Sequence, residues 1–304
     1  MAGFSAKDVK ELRDKTGVGM LDCKEALEQA NGSIERAIDI LREKGIAKAA
    51  KKADRIAAEG IVLSKIEKNK GVLLEINSET DFVARNQEFK QFADNIAETI
   101  IENSPKDIDS LNSCKIKNSN LTVTEAVQEK ILVLGENIKI RRFVLMDGIL
   151  STYIHGEGNI GVIVKFKTDL AQKIEFSEYG KNIAMHIAAA YSKYLNPDQI
   201  PSQVLEKEKH ILKQQLADSK KPENIIQKII DGKMKKFYEE CCLINQKYVK
   251  DDELTVLEYT DKTAKELGGI IEIVDFVRME KGEGIQQNMS KNFAEEVSDI
   301  INKN

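Results

Sequence analysis

The sequence predicts an α+β protein: an N-terminal three-helix bundle, a duplicated core of two half-domains with antiparallel sheets, and an inserted antiparallel helical hairpin. Three observations predict it. Helix start and stop signals recur through the first 45 residues. A strand pattern repeats, with Ile138, Ile140, Phe143, Val144 and Met146 returning 133 residues later as Ile271, Ile273, Phe276, Val277 and Met279. Between Pro197 and Cys241, two amphipathic helices fill a stretch for which the first copy has no counterpart.

The bundle comes first. Ser5-Ala6-Lys7-Asp8 reads as a capping box with Asp in place of the usual Glu, and Phe4 with Val9 fits a hydrophobic staple. The helix stops at Thr16-Gly17, where glycine can take the left-handed conformation beyond a helix end. Met20 to Ala30 carries Leu21, Leu27 and Ala30 at helical spacing and ends at Asn31-Gly32. Ser33 can cap a third helix with Ile34, Ile38 and Leu41 on one face and Gly45 at its end. Residues 1–45 are near the lower size limit for independent folding. The loop Gly17-Val18-Gly19-Met20 places Val and Met where a plain connector would be polar. Both can tuck into the bundle, or they can form an apolar loop that docks on a partner, since Met is an adaptable contact residue. Residues 46–60, with Lys48, Lys51, Lys52 and Arg55 following Lys44, read as a basic helical linker with a solvated face.

Residues 61–147 form the first half of the core. Ile61–Ile66 and Gly71–Ile76 read as a hairpin, Asn86–Ile101 as an amphipathic helix, Thr122–Glu125 as the capping box of a helix to Leu134, and Ile138–Met146 as a strand. The second half repeats this order over residues 148–196 and 241–281. Gly71-Val72-Leu73-Leu74 resembles Gly161-Val162-Ile163-Val164, 90 residues later. Against the spacing of 133 at the last strand, the second copy carries a net insertion of 43 residues. Residues 197–240 supply it. Ser202 can cap a helix bearing Val204, Leu205, Ile211, Leu212 and Leu216; Asp218–Lys221 is a polar turn; Pro222 can open a partner helix with Ile225, Ile226, Ile229, Ile230, Met234 and Phe237. One apolar stripe on each makes them an antiparallel pair. Residues 282–304 remain as a C-terminal module.

Composition narrows the function. The 304 residues are 41% hydrophobic and 32% charged, with 46 basic and 50 acidic side chains and a net charge of -4. That balance argues against a dedicated nucleic-acid binder, which carries a basic excess. No apolar run approaches the ~20 residues of a membrane helix, and no signal-peptide core precedes Lys10. Cys23, Cys114, Cys241 and Cys242 have neither metal-ligand nor disulfide spacing and read as reduced thiols.

Catalytic signatures are missing. Gly156-Glu157-Gly158-Asn159-Ile160-Gly161 fits G-x-G-x-x-G in letters, but strands flank it on both sides, whereas a dinucleotide fingerprint opens a helix. There is no phosphate-loop lysine motif, H-E-x-x-H or nucleophile elbow. His186 lies among Ala and Ile and reads as packed, His210 as solvated, and His155 as exposed at a turn. A Cys23–His155 pair is the remaining nucleophile candidate. The most unusual segment is Ser78-Glu79-Thr80-Asp81-Phe82-Val83-Ala84-Arg85-Asn86, between a strand and a helix. Thr80 and Asp81 suit a turn and a cap. Phe82 and Val83 can cover the core, or Phe82 can be an aromatic plug on a rigid turn.

These residues carry a resemblance. Leu12-Arg13, Thr16 through Lys24, Thr80 through Asn86, Gly135-Glu136-Asn137-Ile138 with Arg141-Arg142, His155-Gly156, Ile183 through Ala188, Lys235-Lys236-Phe237 and Gly282 through Ile285 occur in the order seen in the elongation factor Ts family. These are the guanine-nucleotide exchange factors of the translation factor EF-Tu. The resemblance covers nearly the whole chain, and Thr80-Asp81-Phe82-Val83 is its most specific part. It implies that the bundle docks on the G domain of EF-Tu through Arg13, Met20, Leu21 and Lys24. It implies that Asp81 and Phe82, with Thr80 and Val83, intrude on the magnesium site, and that His155 is a core contact. The hairpin would be the family's coiled-coil arm. The implied partner is EF-Tu, GDP-bound or nucleotide-free, with no cofactor, no covalent chemistry, and no direct nucleic acid, membrane or small-molecule substrate; with no transit peptide visible, the expected location is the bacterial cytoplasm. Two segments depart from the family: residues 104–120 are irregular and polar, and Leu243–Asp252 reads as a longer loop than the family needs. The rival reading is a passive binding adaptor, because a three-helix bundle of this size with an apolar loop is UBA-like, similar to ubiquitin-associated domains.

Overall fold

Helix ends set the N-terminal layer. In the computed structural model, which describes residues 4–117, 119–216 and 222–286, α1 (Ala6–Thr16) starts from Ser5. The Asp8 N–H donates to Ser5 Oγ at 3.4 Å, and the Ser5 N–H donates back to the Asp8 carboxylate at 2.6 Å. Gly17 closes the helix at φ +69°. Next come α2 (Met20–Gln29) and α3 (Ile34–Lys52), which is capped by Ser33. Val9, Leu12, Val18, Cys23, Leu27 and Leu41 are buried together, with Phe4 packed against them.

The third helix does not end at Gly45. It runs on to Lys52, and Gly45 is buried against the following core helix, where a Cβ would lie 3.4 Å from the Gln128 carbonyl oxygen. The glycine packs against this helix and leaves α3 unbroken. The basic stretch is also not simply solvated. Lys44 reaches Asp22 and Glu25 at 2.5 and 2.7 Å, Lys48 reaches Asp22 at 3.1 Å, and Lys52 donates to the Gly135 carbonyl. The bundle is therefore tied to the first half-core, and Leu132 belongs to its apolar cluster.

β1 (Glu59–Glu67) and β2 (Lys70–Ser78) lead into α4 (Asp81–Arg85) and α5 (Gln87–Asn103), which buries Phe89, Phe92, Ile96 and Ile100. The polar stretch after it is not irregular throughout. Asp107 and Ser110 form a capping box for α6 (Ile108–Asn112), which buries Leu111, and Lys115 bridges to Thr122. α7 (Val123–Leu134) and β3 (Lys139–Asp147) complete the first copy. β4 (Ile149–His155), β5 (Ile160–Thr168) and α8 (Ile174–Ala190) begin the second. The arm follows as α9 (Ser202–Leu216) and α10 (Glu223–Cys241), packed through Leu212, Ile230 and Met234. Ser202 is the first residue of α9, inside the helix, and the Pro201 carbonyl accepts from Val204. The expected turn Asp218–Lys221 lies outside the described residues, as do residues 287–304 of the expected C-terminal module.

Leu243–Asp252 holds more structure than a loop. It contains a 3-10 turn at Leu243–Asn245, with Leu243 in the core of the second half, and β6 (Lys247–Tyr248) paired antiparallel with β7 (Asp251–Thr255), with Tyr248 buried. α11 (Val256–Leu267) and β8 (Ile271–Glu280) finish the copy.

The sheets run β1-β2-β3 and β4-β5-β8, with β6-β7 apart. The duplication extends to caps. The Thr122–Glu125 box and Gly135 of α7 recur as the Thr255–Glu258 box and Gly268 of α11, again 133 residues later. The chain divides into two units, Met1–Leu63 with Leu74–Phe143 and Glu280–Asn304, and Ser64–Leu73 with Val144–Met279. In the second unit, Phe166, Phe176, Tyr179, Ile183 and Ile187 make the core between α8 and its sheet.

Candidate functional site

A five-residue helix is far below the ~12–15 residues at which an isolated helix becomes even marginally stable, so the conformation of α4 is supplied by its anchorage. Thr80 is its N-cap, with Oγ1 accepting the Val83 N–H at 3.4 Å. The same Oγ1 donates to Glu136 Oε1 at 2.6 Å, and the Thr80 N–H donates to Glu136 Oε2 at 3.0 Å. One residue earlier the pattern reverses, and the Asn137 N–H donates to Glu79 Oε1 at 2.7 Å. Arg55 lies 3.4 Å from the Glu79 carboxylate. Buried Asn137 sends its side-chain amide to the carbonyls of Arg55 at 2.8 Å and Ala53 at 3.4 Å. Asn86 then caps α5 through the Glu88 N–H.

On this anchored turn Ala84 is buried and Phe82 is 83% exposed. The ring does not cover the core. Asp81 and Val83 flank it half-buried, and Asp81 pairs with Arg85 at 3.2 Å. An exposed aromatic on a fixed backbone loses little entropy on binding, as an interface anchor requires.

Beneath β2 a charge cluster holds the end of β8's chain. Glu75 is fully buried and takes Arg141 at 2.8 Å, Arg142 at 2.6 Å and the Gly282 N–H at 2.8 Å. Burial pushes its carboxyl up, but the Gly282 N–H and the two guanidinium groups outweigh that and hold it below the usual carboxylate range.

The bundle residues separate into two sets. Met20, Leu21 and Lys24 share an apolar groove with Phe4, Val9 and Glu28; Met20 is 45% and Leu21 70% exposed. Arg13 is exposed on α1 and does not line the groove. The Gly17–Met20 loop divides likewise, for Val18 is buried in the bundle and Met20 is not. His155 is exposed at the end of β4, its Nδ1 3.2 Å from the Tyr153 hydroxyl. The turn after it has φ +59°, +57° and +101° at Gly156, Glu157 and Gly158, joining β4 to its antiparallel partner β5. These glycines are turn residues and cradle no dinucleotide.

The remaining chemical candidates are structural. Cys23 is buried, its thiol pushed up by burial and donating to the Val18 carbonyl at 3.4 Å, which does not suit a nucleophile. His186 is buried, with Nδ1 accepting the Val249 N–H and Nε2 therefore donating to Gln246 Oε1 at 3.1 Å; burial lowers its proton affinity. Among the described residues no group of three His, Cys, Asp or Glu side chains could hold a metal ion, and no helix is long and apolar enough to cross a membrane. The sequence points to Gly135-Glu136-Asn137 and to Glu79 without giving them a role, and gives none to Glu75. Adjacent acids on a strand end and a loop carry no signal until the fold pairs them.

A family model described as "Elongation factor TS" matches residues 79–283. The chain is 44% identical over 300 residues to an elongation factor Ts of Syntrophotalea carbinolica, covering 98% of this chain and 99% of that one. It is 45% identical over 300 residues to one of Clostridium kluyveri, covering 97% of each chain, and 44% identical over 302 residues to one of Nitratiruptor sp., covering 97% and 98%.

Proposed function

The chain belongs to the elongation factor Ts family, the guanine-nucleotide exchange factors of EF-Tu, and on that premise we propose how its surfaces divide the work. The groove of Met20, Leu21 and Lys24, with Arg13, docks the bundle on the G domain of EF-Tu. His155 makes a separate contact from the second half-core. Phe82, flanked by Asp81 and Val83 and capped by Thr80, enters beside the bound GDP. There it displaces the elements of EF-Tu that position magnesium and the phosphates. EF-Tu bound to GDP is the substrate complex, the nucleotide-free pair is the intermediate, and GTP then binds and expels the factor. Linkage sets the balance: the factor weakens GDP binding by the ratio in which GDP weakens binding of the factor. The cycle is placed in the bacterial cytoplasm.

The observation that carries this reading is Phe82, an 83% exposed ring on a turn anchored at both ends. The test is release of a fluorescent GDP from EF-Tu with and without the chain. Acceleration that saturates with factor supports the wedge. A chain that binds EF-Tu and leaves GDP dissociation unchanged would be the passive adaptor.

A further inference from the structure

We infer that Glu136 is a positioning residue for exchange, acting through Thr80 on the ring of Phe82. The inference rests on the wedge reading of Phe82. Glu136 accepts from both the Thr80 N–H, at 3.0 Å, and the Thr80 hydroxyl, at 2.6 Å. With its proton committed to Glu136, the hydroxyl has only lone pairs left for the Val83 N–H, which it accepts at 3.4 Å. The carboxylate thus selects the rotamer in which Thr80 caps α4, and the cap sets where the next two residues, Asp81 and Phe82, point. Loss of both acceptor oxygens at position 136 leaves the hydroxyl free to rotate and the five-residue helix without its start.

Glu136 can do this because it is itself held on both sides. Gly135 ends α7 in the left-handed conformation at φ +77°, with its N–H on the Ile131 carbonyl and its own carbonyl taking Lys52. Asn137 is buried and pinned by Glu79 and by the Ala53 and Arg55 carbonyls. Residues 79–80 and 136–137 therefore make a reciprocal bracket, with each segment giving one carboxylate and taking one from the other. Glu136 is half-buried and no contact described for it is spent on the core, so it has a role to lose without the core collapsing.

The experiment measures GDP release from EF-Tu against factor concentration for wild type, Glu136→Ala, Glu136→Gln, Phe82→Ala and the pair Phe82→Ala with Glu136→Ala, alongside thermal unfolding of each. Glu136→Ala is expected to lower the saturating release rate roughly five- to tenfold, short of the ~10²-fold that misplacing a reacting group by 1 Å can cost. The half-saturating concentration should stay within about twofold, because the docking groove is untouched. Glu136→Gln keeps one acceptor oxygen for Thr80 and should retain an intermediate rate. In the Phe82→Ala background, Glu136→Ala should have almost no further effect, a non-additivity that a merely stabilising residue would not produce. Equal slowing by Glu136→Ala in both backgrounds, or none in either while Phe82→Ala slows release, overturns the positioning role alone. Unchanged release with Phe82→Ala overturns the wedge reading beneath it.

Discussion

Phe82→Ala removes a ring that the folded chain does not use. At 83% exposure its loss leaves no cavity, so the unfolding free energy is expected to stay within ~0.5 kcal/mol of wild type. On EF-Tu the same ring is covered. A phenylalanine that buries about 150 Å² gains about 4 kcal/mol at ~25 cal/mol per Å² before the costs of binding are subtracted. Truncation of a central aromatic anchor costs about 2 kcal/mol or more in practice. If that energy is realised in the state whose phosphate site is distorted, about 2 kcal/mol slows release roughly 30-fold. Stopped-flow release of a fluorescent GDP at saturating factor measures the rate, and calorimetry measures the fold. Unchanged release combined with a lowered melting temperature would refute the reasoning, because the ring would then be serving the chain's own interior.

Other expectations follow from the same contacts. Asp81→Ala should slow release in the same direction and less, since Asp81 contributes a charge paired with Arg85 and no ring. Glu75 has its folded-state pKa below its ordinary value of 4.5, so its ionised form adds stability above that pH and the contribution is lost as pH falls through the folded value. Glu75→Gln should flatten that acid loss and lower stability at neutral pH by about 3–5 kcal/mol, because two arginines lose their buried partner; melting curves across acid pH check both. Gly45→Ala should raise stability by about 0.5–1 kcal/mol, its Cβ meeting only ordinary contacts of 3.4 to 3.7 Å. Gly45→Leu should prise α3 from α7 and lower it. Iodoacetamide should label Cys114 in the native chain and reach buried Cys23, Cys241 and Cys242 only on unfolding, burial having pushed the Cys242 thiol up to about 12.

Periodic and capping signals were readable because they are local. The Ser5 and Thr122 caps and the arm's apolar stripes each state a structure within a few residues of themselves, and the 133-residue repeat compares two such local strand patterns. What escaped was written elsewhere in the chain. Gly45 looks like a stop signal, and only α7, 83 residues away at Gln128, shows that it is a packed position inside a continuous helix. Lys44 and Lys48 look solvated until α2 brings Asp22 beside them. Leu243–Asp252 alternates too briefly to announce β6 and β7, whose pairing is recorded in their register. At the site, Phe82 and the bundle residues were legible through a resemblance, whereas the Glu79–Asn137 and Glu136–Thr80 bracket joins residues 58 and 56 apart and is visible only once folded.

The buried Glu75 cluster has a consequence for the order in which the chain can be finished. A carboxylate on β2 waits for an N–H that is 207 residues further along, at Gly282, and Lys281 beside it reaches back to Glu59 at 2.5 Å. During synthesis the first unit can gather its helices and its two arginines long before then, but its seam stays open until the ribosome has delivered the other unit in full. The second unit is thus made inside a parenthesis that the first opens and closes. A nascent chain stalled before residue 282 would hold Arg141 and Arg142 ready on an incomplete partner. Such a chain is expected to be readily cut by proteases at the open seam, which delivery of Lys281 and Gly282 closes.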